Sequence, residues 1–130
     1  MKASKFQFLN PYLEEVSFVT NHNFIPETND EGFELQNSFN IQINKSEKEN
    51  KANVALLLNI NTENENTPFR LQIKVASDFK WEDLDEKTVD SMLNHNAPAL
   101  LLGYMRPIVA NITNSSNFPV YNLPFINFKE

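Results

Sequence analysis

Two histidines, His22 and His95, an adjacent carboxylate pair, Glu14-Glu15, and scattered hydroxyls are the groups in this 130-residue chain whose types could do chemistry. A metal centre needs several ligands converging on one point, and neither histidine stands at ligand spacing to a second one or to a paired carboxylate on the same element. Both read as surface or helix-end histidines. Glu14-Glu15 would serve acid–base chemistry if both faced one substrate, but successive side chains of a strand point to opposite faces, so the pair reads as a solvated strand edge. No Gly-x-Ser-x-Gly nucleophile elbow occurs. The absence of cysteine removes thiolate metal sites, thiol nucleophiles and disulfides, and 2 glycines are too few for a phosphate-binding loop. With 11 basic against 17 acidic residues the net charge is −6, which disfavours nucleic acid and anionic membrane surfaces as partners. These residues therefore predict no catalytic group, no metal and no cofactor.

The elements that would position any site read from periodicity. Residues 5–20 alternate at Phe6, Phe8, Val16 and Phe18, the period of a strand with one buried face. Asn10-Pro11 predicts a bulge there, because proline cannot donate to a ladder. Residues 21–32, with Pro26 and Gly32, read as a loop. Phe33, Leu35, Phe39, Ile41 and Ile43 define a strand over 33–44. Residues 53–61 form a third, continuously apolar and so buried on both faces. Residues 69–76 form a fourth, with Leu71 and Ile73 on one face and Arg70, Gln72 and Lys74 on the other. Short polar turns at 46–51 and 62–68 join the last three into an antiparallel meander, and the first segment supplies the fourth strand. Alternation then stops. A helix is predicted over 84–94, capped by Asp83, and a longer one over 97–113, capped by Asn96 with Pro98 in its first turn. The ring of Pro107 meets the carbonyl of Gly103, which predicts a kinked but continuous helix. Beyond Asn117 lies an extended, proline-punctuated tail.

Strands followed by helices imply a single α+β domain over 1–130: a four-stranded antiparallel sheet with a long helix packed on one face. No apolar run approaches the roughly 18–20 residues of a membrane span. The N-terminus lacks the apolar stretch of a secretory signal, so a cytoplasmic protein is expected. The longer helix carries Leu101, Tyr104, Met105, Ile108 and Ile112 at helical spacing, with Leu100, Leu102 and Val109 beside them. A helix apolar over more than one face must be covered on more than one side. A single sheet covers one, so the surplus implies a subunit interface or a surface for apolar chains.

The pattern resembles the SecB family of protein-export chaperones. Phe6-Gln7-Phe8, Tyr12 and Val16-Ser17-Phe18 are similar to the family's first strand. Asn96-Ala97-Pro98, Leu101-Leu102 and Tyr104-Met105-Arg106 resemble its helix motif. Phe118-Pro119, Asn122-Leu123 and Asn127-Phe128 match its tail, with Pro124 one position early. The family continues into a second helix, which a chain ending at Lys129-Glu130 is expected to lack.

The resemblance implies a homotetramer, a dimer of dimers with the long helices between sheets. It also implies a nucleotide-independent holdase of unfolded or precursor polypeptides, with delivery to the SecA motor in many members. Carried over residue by residue, it assigns Phe39, Ile41 and Ile43 to a client-binding groove. It assigns Leu71, Ile73, Leu101, Tyr104, Met105 and Ile108 to an oligomer interface, and Glu15 to the motor contact. Val19 and Gln72 stand where that acidic docking surface has two further acids, and Arg70 stands at its apolar position. The alternative reading is a dedicated adaptor on the same fold, such as an antitoxin-specific chaperone. An enzyme or small-molecule binder is the third reading and has the fewest residues behind it.

Overall fold

Alternation makes the last strand the spine of the sheet. In β4 (Phe69–Trp81), Phe69, Leu71, Ile73, Val75, Phe79 and Trp81 are buried on one face. In the computed structural model, which describes residues 1–26 and 34–129, it joins β1 (Phe6–Thr20), β2 (Asn37–Lys45) and β3 (Lys51–Ile60) in one antiparallel sheet of order β1-β4-β3-β2. Strands β2, β3 and β4 form the expected meander. The first strand departs from it and lies on the free edge of β4, not beside β2. The connection from 21 to 36 is far longer than a hairpin loop, so it leaves the neighbour of β1 open. Length then decides: β1 has 15 residues and β4 has 13, whereas β2 has 9. The strand expected over 33–44 begins at Asn37. Phe33 and Gly32 lie outside the described residues.

The bulge expected at Asn10-Pro11 is present. Asn10 takes φ 47°, and the register shifts between Leu9 and Tyr12. The displaced Leu9 carbonyl accepts a hydrogen bond from the Ser77 hydroxyl at 2.7 Å, so the irregularity leaves no unpaired oxygen there. A second shift lies between Leu13 and Glu15. At the end of β3, Asn61 takes φ 62° and is buried. Its side chain donates to the Phe69 carbonyl at 3.1 Å and accepts from the Gln36 N–H at 3.0 Å, tying the entrance of β2 to that of β4.

The helical half differs from expectation at its caps. Asp85, not Asp83, caps α1 (Glu86–Ser91), accepting from the Thr88 N–H at 3.0 Å. Asp83 instead takes φ 50° at the turn that leaves the sheet. A π-helical turn, Met92–Asn96, runs without a break into α2 (Ala97–Asn114). Asn96 is therefore itself helical and makes no side-chain cap bond. The extra residue of the π turn lets the chain stay helical where two separate helices were expected. Pro107 sits inside α2 on its exposed side, and the helix continues through it. Leu101, Met105 and Val109 of α2 join Leu56, Leu58, Ile60, Leu71, Ile73 and Val75 in one buried cluster.

Candidate functional site

A helix with its side chains is about 10 Å across, and neighbouring strands lie about 4.8 Å apart. One helix therefore covers about two strands, and α2 lies chiefly over β3 and β4, reaching β1 more lightly. The apolar residues that β1 and β2 turn to the helix side are left as two margins.

On the β1 margin, Phe8, Leu13 and Val16 pair with Phe79, Val75 and Ile73 and so share the helix-facing side. All three are exposed, Val16 to 45%. Tyr104 of α2 is 43% exposed and meets Phe8 edge-on, with ring centroids 6.3 Å apart. Sequence reasoning took Phe8 and Val16 for core, because alternation reports which face a residue occupies and not whether anything covers that face.

On the β2 margin, Phe39, Ile41 and Ile43 pair with Leu58, Leu56 and Val54, which places all three on the same helix-facing side. Phe39 and Ile43 are half-buried, and Ile41 is 36% exposed. The tail after α2 folds back over this margin. The Phe128 ring meets Phe39 nearly at right angles at 6.2 Å, and Leu123 is buried in the core. Arg106 holds the tail by donating to the Leu123 and Pro124 carbonyls, the latter at 2.9 Å. Asn37 donates to the Tyr121 hydroxyl at 2.6 Å, and the Tyr121 N–H donates to the Thr113 hydroxyl at 2.8 Å. None of these tail contacts is legible in local periodicity.

The residues assigned to an interface fall into two groups. Leu71, Ile73, Leu101 and Met105 lie in the chain's own core, within 2% of complete burial. Tyr104 is exposed and Ile108 half-buried, so these two retain free surface. Glu15 lies on the opposite, helix-free face of the sheet, in register with Lys74. The second bulge also brings Glu14 within 3.3 Å of Lys74, so the two carboxylates do not diverge as an unbroken strand would make them. That face also carries Arg70, Lys80, Lys51 and Asp78, the last two 3.7 Å apart. It is a mixed surface, not an acidic one.

Among the described residues no group of three His, Cys, Asp or Glu side chains could hold a metal ion. His95 lies in the π turn, 3.4 Å from the Ser91 hydroxyl, and His22 lies in an exposed turn. A depression between Phe18, Thr20, Asn111 and Ile112 is open and shallow. Among the described residues no helix is long and apolar enough to cross a membrane. What the arrangement offers is two strips of apolar side chains on either side of a helix, suited to burying apolar chain at roughly 25 cal/mol per Å².

Comparison with known proteins agrees with this picture. The family described as preprotein translocase subunit SecB matches residues 1–130. The protein-export protein SecB of Nitrosococcus oceani is 26% identical over 131 residues, covering 98% of this chain and 79% of its own length. That of Anaplasma phagocytophilum is 35% identical over 79 residues, covering 58% and 50%. That of Stenotrophomonas maltophilia is 29% identical over 97 residues, covering 74% and 56%. The match to the last two thus spans about half of each relative's length. Among solved structures, a SecB-like chaperone of Mycobacterium tuberculosis, in complex with a peptide from an antitoxin, superposes with a TM-score of 0.74 at 14% identity. The superposition covers 94% of this chain and 91% of that one, and it establishes a shared fold.

Proposed function

The chain belongs to the SecB family, and from that membership we propose that it is an ATP-independent holdase of unfolded or precursor polypeptides, acting in the cytoplasm in protein export. The observation that carries the reading is the apolar β2 margin beside α2, where Ile41 is 36% exposed, since a holdase needs apolar surface available without a chemical step. Phe39, Ile41 and Ile43 form the client contact on β2. Extended segments would lay alternate side chains against them while the free edge of β2 offers main-chain hydrogen bonds. SecB-family members are chaperones, and no catalytic role is assigned to any residue of this chain.

The chain would work as one SecB-like domain within a homo-oligomer, a dimer of dimers. Tyr104, with Ile108 beside it, supports an interface on the outward side of α2, and the exposed β1 margin supports burial against a second copy. On the helix-free face, Glu15 lies beside Lys74, and Arg70 and Lys80 stand further along the same strand, so weak docking of SecA is expected there.

The test is suppression of aggregation of a chemically denatured model substrate, without nucleotide, by the purified protein. Suppression at near-equimolar oligomer supports the holdase. No suppression, together with stoichiometric capture of one folded partner, would replace it with the dedicated adaptor reading.

A further inference from the structure

We propose that the free edge of β2 is a template for strand addition that selects neutral, β-prone segments, those that alternate apolar side chains with amides. The inference rests on the holdase reading above and names the class of client that site takes.

The two edges of the sheet are built differently. An exposed edge strand invites pairing with other chains, and proteins blunt it with charges, prolines and bulges. β1 carries all three: Glu14 and Glu15, Pro11, and two register shifts against β4. β2 carries none of them between Asn37 and Asn44. It pairs with β3 without a shift, and over those residues it has no charge, no proline and no glycine. Its one charge, Lys45, is taken up by Asp90 of α1 at 2.7 Å. Among the described residues no backbone–backbone hydrogen bond reaches the outer edge of β2.

Both faces of β2 call for the same kind of neighbour. Phe39, Ile41 and Ile43 lie on the helix side. Ser38, Asn40, Gln42 and Asn44 lie on the other, and all four are exposed. On that face amide side chains already bond from strand to strand. Gln72 of β4 donates to Asn59 Oδ1 at 3.1 Å, and Asn53 donates to Asp78 Oδ1 at 3.1 Å. Asn59 and Asn53 stand in register with Ser38 and Asn44, so the polar residues of β2 form the open end of this ladder.

An incoming strand that lays apolar side chains on Phe39, Ile41 and Ile43 turns its intervening side chains toward Asn40, Gln42 and Asn44, because successive side chains point to opposite faces. Amides there extend the ladder, whereas a carboxylate or an ammonium forgoes the amide pair. Short segments that alternate in this way without net charge are the ones that stack into cross-β aggregates. A holdase with a matching open edge would occupy the edge on which such a stack grows.

The experiment uses three dye-labelled peptides of nine residues, the length of β2. All have isoleucine at every second position. The positions between carry asparagine and glutamine in one, glutamate in the second and lysine in the third. Binding to wild type, Gln42→Glu and Gln42→Lys is followed by fluorescence anisotropy at physiological salt. Wild type should bind the amide peptide at least about threefold tighter than either charged one, a pattern that attraction to the net charge of the chain cannot produce. Gln42→Glu should weaken the amide peptide at least about threefold and turn the preference to lysine, and Gln42→Lys should turn it to glutamate. Gln42 is exposed, so both variants should keep a wild-type circular dichroism spectrum. Equal binding of the three peptides, binding of none while a denatured model protein is bound, or a charge preference unmoved by either variant would overturn the selection and leave the holdase intact. A loss of oligomer mass in Gln42→Glu by light scattering, with peptide binding unchanged, would assign the edge to a second copy instead. Failure of wild type to bind the peptides and the denatured protein alike would overturn the holdase reading and this inference with it.

Discussion

Asn61 and Asp85 are single side chains with work that can be isolated. Asn61 combines a left-handed backbone with two hydrogen bonds to backbone groups of different elements. Asn61→Ala leaves the Gln36 N–H and the Phe69 carbonyl without partners and keeps a Cβ at positive φ, so it should lower the unfolding free energy by about 2–4 kcal/mol in urea titrations. Asn61→Gly removes the strain but not the lost bonds and should fall between. At Asp85, hydrogen bonds from the Thr88 side chain and then its backbone N–H hold the carboxyl below the ordinary carboxylate value. A folded-state pKa below the unfolded one gives stability that is present above the unfolded value, about 3.9, and lost as pH falls through the folded one. Asp85→Asn keeps a capping oxygen and removes the titration. The difference in melting temperature between wild type and Asp85→Asn should therefore be constant near neutral pH and shift against wild type in the acid range.

At the scale of elements, the strands were legible and so was the meander of β2, β3 and β4, but the place of β1 was not. Alternation located β1, β2 and β3 to within a few residues, because a half-buried strand repeats every two positions, while β4, expected over 69–76, runs on to Trp81. The pairing of β1 with β4 was hidden, because a long connection carries no information about which edge it returns to. The helical caps were misread at Asp83 and Asn96, since several polar residues could cap and only the backbone path chooses. In α2, a Cβ added at Gly103 would meet nothing within 4 Å. Gly103→Ala should therefore raise stability by about 0.5–1 kcal/mol in the isolated chain, by restricting the unfolded state. Pro107→Ala would restore a hydrogen bond to the Gly103 carbonyl and should raise the melting temperature as well.

The whole molecule is a sheet wider than its cover. Two margins remain, and each has a separable readout. Ile41→Asp changes a position that is 36% exposed on the edge strand, so it should lower the melting temperature modestly and weaken binding of an unfolded client at least about tenfold, as measured by anisotropy. Tyr104→Asp lies on the proposed interface and should reduce the mass found by light scattering while far-ultraviolet circular dichroism stays wild-type-like. If the outward side of α2 is an interface, Gly103→Trp should have the same effect, in contrast to the stabilising alanine.

The sequence by itself determined the α+β class, the periodicity of the strands, the long apolar helix and the family resemblance. All of these follow from local spacing or from ordered motifs. Of the candidate site, the resemblance proposed Phe39, Ile41 and Ile43, which β2 places on one side of the sheet. Only the tertiary structure decided which apolar residues are covered. It withdrew Leu71, Ile73, Leu101 and Met105 into the core, left Phe8, Leu13 and Val16 exposed, and laid the tail over Phe39 under the grip of Arg106. The physical reason is that side-chain period records the face a residue occupies, whereas exposure depends on the width of what packs against that face.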